Sequence, residues 1–260
     1  VTTPSVFTLN SGTLAENTQI WSDGKYATGP ATVTVNATGY NKYNVGTTKI
    51  WTNRALVNCA TITKGGETSI YATIQAAINA AAAGDVIDVT AGTFAENLII
   101  NKALTLKGAN FNTACGGRST ESIIAPATGL PVSITADGVI FNGFEITAPA
   151  YQYAVVLSNR SNVSVLYNNI HDIGTTVTGT NVHAINYTVA NASSTENITV
   201  SYNCLDNISS SSLTGYSASA IGILQSPSTG VLTGLAIENN TISDVNVNTG
   251  NWPTGKLAYG

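Results

Sequence analysis

Three copies of one pattern restrict this chain more than any other feature. Val163-x-Val165-x-x-Asn168-x-Ile170-x-x-Ile173 recurs as Ile198-x-Val200-x-x-Asn203-x-Leu205-x-x-Ile208. It recurs again as Leu235-x-Ile237-x-x-Asn240-x-Ile242-x-x-Val245, at intervals of 35 and 37 residues. Apolar residues at alternate positions mark strands with one buried face, and a fixed period marks an array of stacked units. The strands follow each other too closely for crossover helices, so each copy is predicted to stack on the last as one turn of a parallel coil. A bare coil needs fewer residues than these intervals supply. Each turn therefore carries an extended loop, expected at 174–181 and 209–217. In this register Asn168, Asn203 and Asn240 share one bend. An Asn there can satisfy backbone groups and bond to its copy about 4.8 Å away, which predicts a structural Asn ladder.

The stretch 71–110 carries the same code with a helix in front of it. Ile74, Ala77, Ile78 and Ala81 form one apolar stripe, Thr73 is placed as N-cap, and Gly84 marks the stop. A helix over about 74–83 follows; short and Ala-rich, it needs a surface beneath it. Ile87 and Val89, Leu98 and Ile100, then Leu104 and Leu106 alternate as three short strands. A second coil brings Ser122 to Ile124, Val132 to Ile134, and Val139, Phe141, Phe144 and Ile146.

The wording TIQAAINAAAAGDVIDVTAGTFAENLIINKALTLKGAN resembles the opening segment of right-handed parallel β-helix proteins of the pectin-lyase-like type. The resemblance implies an all-β solenoid whose helix caps its N-terminal end. It also implies an activity to look for, because enzymes of that family cleave acidic polysaccharides. The lyases use a calcium-binding acidic cluster with an Arg or Lys base; the hydrolases use paired aspartates with a Gly-His-Gly and a basic motif. Neither set occurs in this sequence. The expected organisation is a β-rich extension or arm over 1–66 and the capped β-helix over 67–260. In the extension Val6, Phe7 and Leu9 make a short strand, and Ala31 to Val35, Lys49 to Trp51 and Ala55 to Val57 are further strand candidates. The extension reads either as a layer flanking the helix or as an arm reaching a neighbouring molecule.

Composition narrows the partners. The chain is 43% hydrophobic but only 9% charged, with a net charge of −4. That gives no electrostatic case for nucleic acid or an anionic membrane, and no run has the length of a membrane span. Ten Lys and Arg spread along the chain do not make the positive groove that an anionic polymer requires. The chain opens at Val1 and contains no Met, as expected of a processed protein or an excised fragment. Composition and fold together favour an extracellular or cell-surface location.

Candidate chemistry is sparse. The repeat places Asp172, Asn207 and Asp244 in one register, with His171 and Arg160 close by. Oxygen ligands in that column could hold Ca²⁺, and the carboxylates could do acid/base work. The alternative is that they are turn residues, where Asx is common. No cofactor is expected. Tyr151, Tyr153, Tyr167, Tyr202 and Tyr216 either stack on sugars or fill gaps beneath loops. His183 lies at a loop start and reads as a surface residue. Cys59, Cys115 and Cys204 form no metal-ligand spacing. A bridge between Cys59 and Cys115 would pin the N-terminal segment to the coil; three unpaired thiols are the other reading. Sequons at Asn36, Asn159, Asn162, Asn186, Asn191 and Asn239 are glycosylation candidates, while Asn197 and Asn207 lie too close to strands.

The expected function follows from the ends. A β-helix leaves unpaired backbone at each end, and no closing helix follows Val245. The sequence therefore points to a structural subunit of a surface filament or layer. It would polymerise head to tail, through the Val6–Leu9 arm and the open C-terminal end. A secreted polysaccharide lyase or glycoside hydrolase, and a glycan-binding adhesin module, are the two alternatives.

Overall fold

A computed structural model describes residues 6–9, 32–35, 41–45, 48–52, 58–189, 194–210, 216–225, 231–247 and 258–259. Ahead of the coils come β1 (Val6–Leu9), β2 (Thr32–Val35), β3 (Asn41–Val45), β4 (Thr48–Thr52), β5 (Ala60–Lys64), β6 (Glu67–Tyr71) and α1 (Ile74–Ala80). The coils then run in triplets. The first is β7 (Val86–Val89), β8 (Gly92–Phe94) and β9 (Leu98–Ile100), and the second β10 (Thr105–Lys107), β11 (Ser122–Ile124) and β12 (Val132–Ile134). The third is β13 (Ile140–Asn142), β14 (Glu145–Ala148) and β15 (Tyr153–Ser158), and the fourth β16 (Val163–Leu166), β17 (Asn169–Ile173) and β18 (Val182–Val189). The fifth is β19 (Ser194–Ser201), β20 (Cys204–Ser210) and β21 (Ala218–Gln225), and the last β22 (Val231–Glu238), β23 (Thr241–Ile242), β24 (Val245–Val247) and β25 (Ala258–Tyr259).

First, second and third strands of successive coils pair in parallel, giving three sheets that wrap one core. The chain is a parallel β-helix. The repeat seen in the sequence is its register: Val163 sits on Ile198 and Ile198 on Leu235. Inward residues of successive coils stack into apolar columns, such as Ile87, Leu106, Phe141, Val165 and Val200, all at most 1% exposed. Phe141 and Phe144 stack with ring centres 4.5 Å apart, filling the interior where the chain bends.

The helix has the expected face and start, but ends earlier. Ile74, Ala77 and Ile78 are fully buried, and Thr73 caps the start by accepting from the Ala76 N–H at 3.1 Å. Burying each Ile contributes about 1.5–3 kcal/mol, which a lone seven-residue helix would lack. It stops at Ala80 because other groups take its free carbonyls. Lys102 Nζ donates to the carbonyls of Ile78, Asn79 and Ala81 at 2.7–2.9 Å, and Asp85 Oδ2 accepts from the Ala82 N–H. At the other end Glu96 accepts from the N–H groups of Ile74 and Gln75, both at 2.9 Å. An anion at the N-terminus and a cation at the C-terminus match the helix dipole.

The division expected at residue 66 falls inside a hairpin. β5 and β6 pair antiparallel across Gly65 and Gly66, β5 pairs with β7, and β3 with β6. The sheet of first strands therefore continues through β5, β6, β3 and β4, ten strands in all. β1 is not a free arm. It pairs in parallel with β2 of its own chain, Val6 on Thr32, Phe7 on Val33 and Leu9 on Val35. Two β-branched runs satisfy each other there. Ala55 to Val57 lies outside the described residues.

Candidate functional site

In the last three coils the bend between the first and second strand holds the Asn ladder. Asn168 Oδ1 accepts from the Phe144 N–H at 3.0 Å, and Asn203 Oδ1 accepts from the Asn168 N–H at 2.9 Å and from Asn168 Nδ2 at 3.1 Å. Asn240 Oδ1 does the same for Asn203, at 2.9 and 3.0 Å. Each side-chain NH₂ also donates to a carbonyl of the preceding coil: Phe141, Val165 and Val200 in turn. Asn168 and Asn203 are wholly buried. These amides replace water for backbone groups that the bend would otherwise strand.

The Asp172, Asn207, Asp244 column lies at a second bend, and all three residues take a left-handed backbone, with φ of 55°, 48° and 46°. Asn and Asp tolerate that conformation better than other side-chain-bearing residues, which accounts for the residue types. Asp172 spends both oxygens locally. Oδ2 meets His171 Nδ1 at 2.8 Å and Oδ1 accepts from Asn207 Nδ2 at 2.5 Å. Burial pushes the Asp172 carboxyl up, but those hydrogen bonds from His171 and Asn207 outweigh it and hold the group below the usual range. The column is therefore not the oxygen cage expected of a Ca²⁺ site, because Asn207 turns its NH₂ toward Asp172. Nor is it a carboxylate pair, because Asn207 separates Asp172 from Asp244. Among the described residues no group of three or more His, Cys, Asp and Glu is arranged to hold a metal.

His171 is bracketed on the outer face. Its Nε2 faces Glu145 Oε1 at 3.3 Å while Nδ1 faces Asp172. Only the doubly protonated ring donates to both. Asp206 stands beside it, in register on β20, and accepts from Ser243 Oγ at 2.7 Å. Glu145 and Asp206 escaped the sequence reading. Their signal was the same register that found Asp172: Glu145 pairs with Asn169, three positions before Asp172, and Asp206 with His171, one position before it. Arg160 is not part of this group; it lies 3.8 Å from Asp137 and donates to the Ser158 carbonyl.

The loop 111–120 borders this face, and here the cysteine pairing is corrected. Cys115 bonds to Cys204 on β20, 89 residues away, with Cα atoms 5.7 Å apart; Cys59 is a buried free thiol. The pairing expected from order along the chain gives way to proximity across coils. The loop folds down the outside, and Cys204 on β20 pairs in register with Asn169 on β17. Arg118 anchors the same loop. It makes a two-pronged ion pair with Glu121 at 2.7–2.8 Å and donates to the carbonyls of Tyr167 and Phe144, with side chains only 7% and 12% exposed.

The tyrosines divide. Tyr167 and Tyr202 stack on each other at 4.7 Å, which uses ring faces that a sugar would need. Tyr151 and Tyr153 meet edge to face, and Tyr153 stacks on His183 at 5.6 Å. Tyr216 is half-buried. His183 is not a surface residue; it is 4% exposed. Of the sequons, Asn162 and Asn239 are exposed and Asn159 half-buried. Asn186 is 5% exposed, inaccessible to a modifying enzyme in the folded chain, and Asn36 and Asn191 lie outside the described residues.

The last coil differs from all the others. Leu235 and Ile237 occupy interior positions, in register with Ile198 and Val200, which are at most 1% exposed. Yet Leu235 is 38% exposed and Ile237 44%.

With this geometry in view, likeness to known proteins is limited. No protein-family description and no curated protein sequence matches the chain. Two solved structures do, both of pectin methylesterase from Aspergillus niger. One, in a penultimately deglycosylated form, is 16% identical, over 73% of this chain and 80% of that one, with a TM-score of 0.33. The other, deglycosylated, is 14% identical, over 77% of this chain and 92% of that one, with a TM-score of 0.33. The likeness is one of fold. At that level nothing about a reaction passes to this chain.

Proposed function

We propose that this chain is an extracellular structural subunit that associates with copies of itself through the ends of its β-helix. The observation that carries this reading is the last coil, whose interior positions Leu235 and Ile237 stand open although their counterparts one coil back are sealed. Uncovered apolar surface at the end of a solenoid favours a covering partner. The disulfide between Cys115 and Cys204 supports an oxidising compartment. Asp172, which the sequence offered as a ligand or acid/base candidate, is occupied in holding one coil to the next. Electron microscopy of the concentrated chain tests the reading: rows of particles joined at their ends support it, and isolated single particles at high concentration oppose it.

A second reading is carbohydrate binding or hydrolysis on the outer face of β14, β17 and β20. It is favoured by His171 standing between Glu145 and Asp206 beside the tethered loop. This face is acidic, so a neutral or cationic glycan suits it and an anionic one does not. Depolymerisation and binding assays on a glycan panel, with Asp206→Asn and Glu145→Gln, decide it; no binding and no cleavage would remove this reading.

A further inference from the structure

We propose that the contact between copies is a pairing of strands, in which β4 of one molecule adds antiparallel to the outer edge of β22 of the next; this rests on the end-to-end reading above. The ten-stranded sheet runs from β22 at one end to β4 at the other. Each is paired on one side only among the described residues, β22 with β19 and β4 with β3. The two free edges thus belong to a single sheet and face opposite ways along it. The sheet of third strands is different, because at its first coil the side chain of Gln75 occupies the backbone of Ile99.

Strand directions fix the geometry. β22 runs with β7 through a series of parallel pairs. β5 opposes β7, β6 opposes β5, β3 runs with β6, and β4 opposes β3. β4 therefore runs against β22, and copies stacked by translation meet in the antiparallel sense, the slightly stronger of the two pairings. Such a contact uses two different surfaces and does not close on itself, so it builds an open row. The exposed Leu235 and Ile237 would be covered by the arriving copy.

Charge identifies the partner as a second copy. β3 and β4 carry Lys42 and Lys49 and no Asp or Glu. β19, β20 and β22 carry Glu196, Asp206 and Glu238 and no Lys or Arg. The strands at the β4 edge are thus positive and those at the β22 edge negative, so head-to-tail contact is attractive and head-to-head contact is repulsive.

Cysteine cross-linking in the full chain tests the assignment, with sedimentation run in parallel. Copies carrying Thr48→Cys are mixed with copies carrying Ala236→Cys, and Thr52→Cys with Leu232→Cys, two pairs of one antiparallel register; the swapped pairs serve as controls. The proposal expects disulfide dimers from the first two mixtures at several times the yield of the swapped ones. It also expects association to weaken between about 0.1 M and 1 M salt, as the screening length falls from about 10 Å to 3 Å. If copies associate but cross-link β22 to β22, or give equal yields in all mixtures, the β4–β22 contact is wrong while end-to-end association stands. If sedimentation shows no association at any concentration, both fall.

Discussion

The side-chain amide of Gln75 does for Ile99 what a neighbouring strand would do. Its Oε1 accepts from the Ile99 N–H at 2.8 Å and its Nε2 donates to the Ile99 carbonyl at 3.3 Å. One residue of α1 thus closes the edge of β9, where the coil begins. Gln75→Ala exposes that edge. The bonds are at the surface, so the expected loss is about 1 kcal/mol, read from urea denaturation. Gln75→Glu, which keeps the acceptor but not the donor, should fall between.

The buried ladder is worth more. Asn203→Ala leaves the Asn168 N–H and the Val165 carbonyl without partners inside the protein. Stranding buried polar groups costs about 1–3 kcal/mol, so a loss of about 2–4 kcal/mol is expected for this pair. Asn240→Ala, in the more exposed last coil, should cost clearly less. Denaturation of the two variants side by side gives the comparison, and equal losses would mean that burial does not set the value.

The cysteines give a count. Denatured, unreduced protein should react with one thiol equivalent per chain, that of Cys59; three equivalents would contradict the bridge. Cys204→Ser should lower stability by about 2–4 kcal/mol, because the bridge closes a long loop in the unfolded chain. Cys59→Ala should leave the loop 111–120 tethered.

His183 and Asp172 both contribute to the response to acid. Burial holds the His183 imidazole below its ordinary 6.5, and neither ring nitrogen has a hydrogen-bond partner among the described residues. The unfolded chain therefore binds a proton first. Stability is full above about pH 6.5 and falls as pH drops toward the folded value. Asp172, held below its ordinary 3.8, acts in the same direction at lower pH. Its contribution is present above 3.8 and lost as pH falls through the folded value. Denaturation midpoints between about pH 7 and pH 5 should flatten in His183→Leu and keep their slope in Asp172→Asn.

The coils were legible in the sequence because their code is local. Val163, Val165 and Ile170 announce their register by spacing alone, and Ile198 to Leu205 repeat it. What crosses coils was not legible. The bridge from Cys115 to Cys204 depends on where a loop lies against the outer face, which no spacing encodes. Asp172 read more as a corner residue than as a ligand, but left-handed bends and metal sites draw on the same side chains and spacing alone leaves both open; its bond to Asn207 separates the two. The strand at Val6–Leu9 was recognisable as a strand, but its partner β2 lies 23 residues beyond, past a segment with no clear period.

Sedimentation velocity over a wide concentration range tests the central claim most directly, comparing the wild-type chain with Leu235→Asp/Ile237→Asp. The account predicts that wild-type chain forms species growing with concentration. The double variant, compared at a temperature where its melting curve shows it folded, should stay a monomer throughout. A wild-type chain that remains monomeric at the highest concentration, or a double variant that associates as readily as wild type, would contradict it.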